Sequence, residues 1–277
     1  MMTEPVRTIA LIGATSGLGR AAVERFARDG HRLVLVGRDP KRVERLAKQL
    51  PAAVVIGADV STAAGIDHAA TQIENAVDHL DALVNNAGVM IPTRQTTSEG
   101  IELNLAVHHI APYSMTGRLL SLLQAGRGRV VNTNSEGHRA PLFGGGPVHI
   151  DLNDLNMEGG YNPYLAYSRT KLANLLFSYE LQRRHPELSV VAVHPGMVRS
   201  DLGRHWPRIQ VAAMHAMSIS ARKGAEPVVS LATSPTVEPG GYYNRFTTTR
   251  SSAESYDRDL AHQLWDATES LRGPFGR

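Results

Sequence analysis

Apolar and polar positions along this chain follow two alternating patterns. Short, nearly continuous apolar runs predict buried β-strands at 8–12, 32–36, 53–58, 82–85, 128–133, 189–194 and 241–245. Longer stretches with one apolar face predict α-helices at 17–29, 40–49, 63–79, 98–124, 164–184, 221–233 and 253–271. Apolar strands that alternate with helices indicate an α/β fold, in which a doubly wound parallel sheet carries helices on both faces.

Two longer segments interrupt this alternation and are predicted to be loops. Residues 136–163 are rich in Gly, Pro and Asn, and residues 199–220 carry apolar side chains among polar ones. Ligands of open α/β sheets bind beyond the carboxyl ends of the strands, so we expect both loops to contact a substrate. The second loop is interpreted as an apolar lid or, alternatively, as packed core, through Met197, Trp206, Ile209, Met214 and Met217. Because no linker or repeat divides the chain, we expect a single domain over 1–277.

Composition narrows the classes of function. With 42% hydrophobic and 20% charged residues over 277 positions, the chain is typical of a soluble globular protein. The absence of cysteine excludes disulfides, thiolate metal ligands and cysteine nucleophiles. No apolar stretch approaches the roughly 18 residues that span a bilayer, and the amino terminus has no apolar signal core, so we expect a cytoplasmic protein without a membrane partner. Aromatic residues make up only 5%, which argues against nucleic-acid binding despite the net charge of +3.

A glycine-rich turn joins the first predicted strand to the first helix. It reads Gly-Ala-Thr-Ser-Gly-Leu-Gly from position 13 to position 19. Glycines let the backbone approach a pyrophosphate closely, and the amino terminus of the next helix offers free N–H groups. An ordinary tight turn is the alternative, but strand, glycine triplet and helix in this order favour a dinucleotide site. The candidate cofactor ligands here are Gly13, Thr15, Ser16, Gly17, Leu18 and Gly19.

The ends of the next strands indicate which dinucleotide is bound. Where an acidic residue would accept a hydrogen bond from the ribose of NAD, this chain has Gly37 followed by Arg38. An arginine suits a 2′-phosphate, so we expect NADP(H) rather than NAD(H). Asp39 is a competing acidic candidate, although it can instead cap the helix that starts at Pro40. Further candidate cofactor contacts follow the third and fourth strands, namely Asp59, Val60, Asn86, Ala87 and Gly88.

Tyr167 and Lys171 form the candidate catalytic pair, with Ser135 after the fifth predicted strand. Positions i and i+4 share a helix face, so the lysine can stand beside the phenol. A neighbouring cation stabilises a phenolate and lowers its pKa. Only four of the 29 basic residues are lysines, and lysine is the cation whose pKa shifts readily on burial. The alternative is a structural helix that buries the tyrosine and extends the lysine toward solvent.

Together these motifs resemble the short-chain dehydrogenase/reductase family. The resemblance extends nearly end to end, over 13–19, 59, 85–88, 130–135, 167–171 and 194–198. Within the family the chain resembles the branch of the retinol dehydrogenases and the WW-domain oxidoreductase, through residues 135–138, 151–156, 171–177 and 264–265. The resemblance implies a Rossmann fold and an NAD(P)-dependent oxidoreductase of alcohols and carbonyl compounds, while the substrate stays open.

The resemblance also implies roles for the site residues. Tyr167 would exchange a proton with the substrate oxygen, Lys171 would lower the tyrosine pKa and bind the nicotinamide ribose, and Ser135 would hydrogen-bond the carbonyl. Hydride transfer leaves charge on that oxygen, which requires a proton donor of matched pKa. Near the nicotinamide the resemblance implies three further cofactor contacts, Pro195, Gly196 and Val198.

The chain departs from the family pattern at three positions. Ile12 stands where threonine is usual, and Asn134 replaces the first serine of a usual pair. His108 aligns with the family's catalytic asparagine, whose backbone carbonyl helps to hold a water leading to the lysine. One hypothesis makes His108 a titratable member of this catalytic proton relay, because imidazole titrates at about pH 6.5. The alternative is a packing histidine.

The leading prediction is an NADP(H)-dependent carbonyl reductase or alcohol dehydrogenase acting on a hydrophobic small molecule. An epimerase or dehydratase of the same fold and a catalytically weak NADP-binding regulatory protein stay as alternatives. We expect no metal site, since the histidines lack HExxH spacing and paired acids at ligand spacing. The helix at 164–184 carries a common homodimer surface in the family, although this branch includes monomers.

Overall fold

The structure is a computed structural model that describes residues 5–141, 148–199, 201–216 and 218–276. In chain order its strands are β1 (Thr8–Ile12), β2 (Arg32–Gly37), β3 (Val54–Gly57), β4 (Ala82–Asn85), β5 (Arg129–Thr133), β6 (Ser189–His194), β7 (Tyr242–Asn244) and β8 (Thr247–Thr248). They form one sheet in the order β3-β2-β1-β4-β5-β6-β7-β8, and only the pair β7 and β8 is antiparallel. This order confirms the predicted doubly wound α/β fold.

Helices cover both faces of the sheet. In chain order they are α1 (Gly17–Arg28), α2 (Pro40–Gln49), α3 (Ala63–Ala76), α4 (Leu103–Leu105), α5 (Ala111–Arg118), α6 (Leu120–Ala125), α7 (Pro163–Arg184), α8 (Arg208–Ala216), α9 (Ala221–Thr233) and α10 (Arg258–Arg272). Successive strand side chains point to opposite faces, so Ile9 and Leu11 share a core with α1, α2 and α9, while Ala10 and Ile12 share one with α3, α5 and α7. Within the described ranges, no helix is long and apolar enough to cross a membrane.

The predicted strands agree with the structure to within one residue at each end. The prediction missed β8, which has only two residues, and α8, which lies in the segment predicted as the loop 199–220. The last helix begins at Arg258 rather than at position 253, because Asp257 caps it by accepting a hydrogen bond from the Leu260 N–H at 2.9 Å.

The predicted helix at 98–124 is broken rather than continuous. It starts at Leu103, contains a π-helical turn over Ala106–Ile110 and is interrupted again at Leu119. Pro112 accounts for the irregular turn, since proline has no N–H to donate to the His108 carbonyl four residues earlier. The side chain of Asn174 on α7 donates to that carbonyl instead, at 2.9 Å. A side chain from another helix thereby replaces a bond of the backbone.

Helix α7 lies in the interior of the molecule. Every residue from 170 to 181 is buried. Its outer side, which includes Leu172 and Leu176, packs against Leu264 of α10. On this side α7 therefore contacts the chain's own α10.

Candidate active site

A cavity of about 760 Å³ lies at the carboxyl ends of β1, β2, β4, β5 and β6. Of the residues predicted for the site, those that line this cavity are Gly13, Thr15, Ser16, Gly17, Leu18, Arg38, Asp59, Val60, Asn86, Ala87, Gly88, Ser135, Tyr167, Lys171, Pro195, Gly196 and Val198. The lining does not include Gly19 or His108. Candidates from distant parts of the chain thus meet in one place.

The glycines of the β1–α1 turn are required by close packing. Gly13 has a φ of +88°, and a Cβ there would lie 2.7 Å from the Ala87 nitrogen. A Cβ on Gly19 would lie 2.0 Å from the Gly13 carbonyl oxygen. Gly19 therefore lets the turn pack against itself, whereas the sequence predicted it as a cofactor ligand. The first turn of α1, at Ser16 and Gly17, does line the cavity, and its free N–H groups suit a phosphate.

The end of β2 has no room for an acidic side chain. A Cβ on Gly37 would lie 2.2 Å from Cγ2 of Thr15. Thr15 thus occupies the space in which a side chain at position 37 would project. The first side chain after the strand that reaches the cavity is Arg38, which is about half exposed. At this strand end the cavity lining therefore begins with a cation, Arg38, and the Asp39 carboxylate follows it.

The two carboxylates beside Arg38 have local partners. Asp39 caps α2 by accepting a hydrogen bond from the Arg42 N–H at 3.1 Å. Asp59 accepts hydrogen bonds from the N–H and the hydroxyl of Ser61, at 3.1 and 2.8 Å. The guanidinium of Arg38 is 3.9 Å from the Asp59 carboxylate, so their ion pair is long. Arg38 is consequently able to turn toward another anion.

The three candidate catalytic side chains meet between β5 and α7. Tyr167 and Lys171 are 6% and 5% exposed. The Lys171 ammonium donates to the carbonyl oxygen of Thr133 at 3.1 Å and lies 5.7 Å from the centre of the Tyr167 ring. The Ser135 Oγ accepts a hydrogen bond from the Gly137 N–H at 3.1 Å, and Ser135 and Tyr167 both line the cavity. A hydroxyl and a phenol therefore face the cavity together, with an ammonium behind them.

Burial has the largest effect on the pKa values of Tyr167 and Lys171. It lowers the pKa of Lys171 to about 7 and raises the pKa of Tyr167, where a hydrogen bond from Ser135 opposes the effect. The direction for Tyr167 is opposite to the lowering that the sequence led us to expect from Lys171. Burial penalises the charged form of both side chains, which raises the pKa of the phenol and lowers that of the ammonium. The phenol therefore holds its proton at neutral pH.

His108 lies behind Tyr167, with the two rings edge to face at 5.4 Å. Its Nε2 accepts a hydrogen bond from the Val89 N–H at 3.1 Å, so in the neutral ring the proton is on Nδ1. Nδ1 is 2.9 Å from the hydroxyl of Thr170, which donates to the Tyr167 carbonyl. Burial first, and the charge of Lys171 second, lower the pKa of His108 well below its usual range. The imidazole is thus a neutral connector between the segment after β4 and α7.

A buried asparagine pair supports the site from below. Asn134 accepts a hydrogen bond from the Ser135 N–H at 2.7 Å and donates to the Lys171 carbonyl at 3.0 Å. It also donates to Asn174 Oδ1 at 2.9 Å, and Asn174 in turn donates to the His108 carbonyl. Asn134, noted in the sequence only as a departure, therefore joins the end of β5 to α7. The signal for Asn174 was its position three residues after Lys171.

Two of the residues that were predicted to form an apolar lid, Trp206 and Ile209, do not line the cavity. Met197 lines the cavity, but Ile209 is 81% exposed and is not part of the lining. Trp206 packs on Tyr164 at 5.1 Å and donates its Nε1–H to the Met90 carbonyl at 3.0 Å, which ties the loop after β6 to the segment after β4. The side chain of Met214, and the whole of Met217, lie outside the described residues.

The apolar wall of the cavity comes from residues that the sequence did not single out. Besides Met197, its apolar side chains are Val89, Met90, Val107, Leu202 and Val211. From the predicted loop 136–163, the described lining residues are Glu136, Gly137 and Ala140. A pocket with an apolar wall and a few polar groups suits a small organic molecule.

The donor set fits a dinucleotide. The helix terminus at α1 suits a pyrophosphate, Arg38 suits a ribose phosphate, and Gly88 and Gly196 line the cavity with bare backbone. No cluster of three or more His, Asp or Glu side chains in the described part of the chain is arranged to hold a metal ion.

The fold and this site define a Rossmann-type oxidoreductase, and the chain belongs to the short chain dehydrogenase family, whose model matches residues 7–147. It is 34% identical to “Putative daunorubicin C-13 ketoreductase DnrU” of Streptomyces sp. (strain C5), over 99% of this chain and 95% of that protein. It is 32% identical to human retinol dehydrogenase 14, over 96% of this chain and 86% of that protein. These relatives place it in the retinol-dehydrogenase-like branch.

A solved structure is similar over most of its length. A short-chain dehydrogenase from Sphingobium yanoikuyae in complex with NADPH has 26% identity and a TM-score of 0.64. The match covers 81% of this chain and 83% of that one.

Proposed function

We propose that the protein is an NADP(H)-dependent carbonyl reductase or alcohol dehydrogenase of hydrophobic aldehydes, ketones or alcohols. The observation that carries this proposal is the meeting of Ser135, Tyr167 and Lys171 in one cavity with a glycine-rich helix terminus. In this proposal the whole chain, 1–277, acts as one dinucleotide-binding domain, and the segments near 136–163 and 199–220 contact the substrate.

The bound cofactor supplies or accepts the hydride. In the direction of reduction, the Ser135 hydroxyl and the Tyr167 phenol donate hydrogen bonds to the substrate carbonyl oxygen. As the carbonyl carbon gains the hydride, the oxygen takes the proton of Tyr167 and becomes an alcohol. The Lys171 ammonium then stabilises the phenolate that remains until it is reprotonated from solvent.

Charge and space at the end of β2 support NADP(H) over NAD(H). A side chain at position 37 would meet the Thr15 side chain, and Arg38 lines the cavity directly after it. The ion pair of Arg38 with Asp59 is long, at 3.9 Å, so a phosphate competes well for it. A similar short-chain dehydrogenase holds NADPH.

The apolar wall supports a hydrophobic substrate. Met90, Leu202 and Val211 contribute aliphatic surface to the cavity. One similar protein carries the name of a ketoreductase and another that of a retinol dehydrogenase, so both carbonyl and alcohol substrates belong in a screen.

A substrate screen with a tyrosine variant tests the proposal. Aldehydes, ketones and alcohols are offered with both nicotinamide cofactors, and turnover is followed by the NADPH absorbance. We expect Tyr167→Phe to lower turnover by at least about 100-fold, because general acid catalysis contributes that much, with NADPH binding intact. Tyr164→Phe, on the same helix but outside the cavity lining, is the matched control.

Two outcomes would contradict the proposal. Full turnover by Tyr167→Phe would remove the phenol from the mechanism. Conversion of substrate without stoichiometric consumption of NADPH would favour an epimerase or a dehydratase of the same fold.

A further inference from the structure

A second and a third arginine stand beside Arg38 at the adenosine end of the cavity. Arg42 lies in the first turn of α2, and Arg204 follows the short 3-10 helix Asp201–Gly203 in the loop after β6. Both line the cavity. Arg204 donates from Nη1 to the Asp201 carbonyl at 3.1 Å, which holds it along the turn. Three guanidinium groups from two separate segments thus share one end of the site.

These arginines differ in their partners. Arg42 donates to the Asp201 carboxylate at 2.6 Å, which links α2 to the loop after β6. No ion pair in the described part of the chain includes Arg204, and Arg38 has only the long contact to Asp59. Partial burial and the charge of Arg38 lower the pKa of Arg204, the Asp201 carboxylate opposes them, and Arg42 adds a smaller lowering. Arg38 and Arg204 therefore repel each other, and the Asp201 carboxylate offsets this repulsion only in part.

We propose that Arg204 is a specificity-determining residue for NADP(H), which grips the phosphate on the adenosine ribose from the side opposite Arg38. This inference rests on the proposed function. Guanidinium groups pair bidentately with phosphate oxygens, and a dianion between two arginines removes their repulsion. The phosphate then fastens the loop after β6 onto the dinucleotide.

The same loop also forms part of the substrate wall. Leu202 Cδ1 lies 3.5 Å from the place of a Cβ on Gly88, and Val211 of α8 lines the cavity as well. Trp206 anchors the loop to the Met90 carbonyl. A phosphate held by Arg204 therefore also orders the apolar wall of the cavity. NADP(H) consequently orders the substrate site to a greater extent than NAD(H) does.

Binding of cofactors and of their adenosine fragments tests the phosphate contact. Calorimetry on the full chain gives Kd values for NADPH, NADH, adenosine 2′,5′-bisphosphate and 5′-AMP. We expect Arg204→Gln to raise the Kd values of NADPH and of the bisphosphate about tenfold, because one charge-assisted hydrogen bond to the phosphate is lost. Binding of NADH and 5′-AMP stays within about twofold. Arg208→Gln, exposed on α8 and outside the cavity lining, is the matched control and changes none of the four.

Hydrogen exchange tests the coupling to the loop. In the wild-type protein we expect NADP⁺ to slow exchange in residues 201–216 more than NAD⁺ does, and Arg204→Gln to abolish this difference. If Arg204→Gln weakens the binding of NADPH and NADH equally, or leaves the preference for NADPH unchanged, the proposed role of Arg204 is wrong. The proposed cofactor would not be affected by either result. A wild-type protein that binds NADPH no better than NADH would instead refute the proposed cofactor, and the inference with it.

Discussion

Burial sets the charge of each side chain around Tyr167. The phenol keeps its proton because burial raises its pKa, which suits a proton donor in reduction. Lys171, with a pKa lowered to about 7, is close to half-charged at neutral pH. A small change in pH therefore changes the field that acts on the phenol.

The pH profile of reduction follows from this position of Lys171. We expect kcat/KM to fall as pH rises through about 7, because the ammonium that stabilises the Tyr167 phenolate is lost there. Steady-state rates with saturating NADPH across this range measure the effect. A rate that stays level through this range would contradict it.

The variant His108→Asn tests the proton relay hypothesis in the same assay. We expect the acidic limb of the pH profile to stay unchanged, because the imidazole is neutral and lies outside the cavity lining.

The pH dependence of the free energy of unfolding gives an independent test of the Lys171 pKa. Its folded pKa of about 7 lies below the ordinary lysine value of 10.5, so between about 7 and 10.5 the unfolded chain binds more protons than the folded one. The contribution of Lys171 to the free energy of unfolding therefore rises with pH through this window. Urea titrations of the wild type and of Lys171→Met measure the slope, which the variant should lack.

At the scale of elements, α7 carries the proposed catalytic pair and a supporting asparagine on successive turns. Tyr167, Lys171 and Asn174 are spaced by four and three residues and share one face. Lys171 bonds to the end of β5, and Asn174 bonds to the π-helical turn before α5. The Asn174 side chain therefore joins the irregular turn to α7.

Asn174 is consequently expected to position the site without contacting substrate. Asn174→Leu leaves the His108 carbonyl and the Asn134 amide without their partner, which should cost about 1–3 kcal/mol of stability. We expect kcat to fall and the Kd of NADPH to stay constant. Urea unfolding, kinetics and cofactor titration check this, with the exposed Asn153→Leu as control. Loss of NADPH affinity equal to the loss of kcat would refute a positioning role.

At the scale of the whole molecule, α10 limits which part of α7 is exposed for association with another chain. It covers the outer side of α7, where Leu172 and Leu176 are buried. Association through α7 would require α10 to leave this apolar contact, which burial of aliphatic side chains opposes.

We therefore expect a monomer in solution. Light scattering on a sizing column should give the mass of one chain at micromolar concentration. A mass of two chains that persists on dilution would contradict this expectation and would require a contact surface other than α7.

Some features were predictable because they depend on neighbours in the chain. Strand ends and the glycine turn follow from local apolar runs and from glycine at positions 13–19. The π-helical turn was not predicted, although Pro112 was visible, because the bond that replaces its missing N–H comes from Asn174, 66 residues after His108. The contribution of Arg204 was missed for the same reason, since its position depends on how the loop after β6 crosses the cavity.

The sequence by itself determined the doubly wound sheet and the order in which site residues follow its strands, since apolar periodicity and glycine spacing are local properties. Only the tertiary structure decided that burial lowers the pKa of Lys171 to about 7 and that of His108 well below its usual range. It also decided that Arg42 meets Asp201 across 159 positions. Burial and contacts between distant segments exist only once the chain has folded.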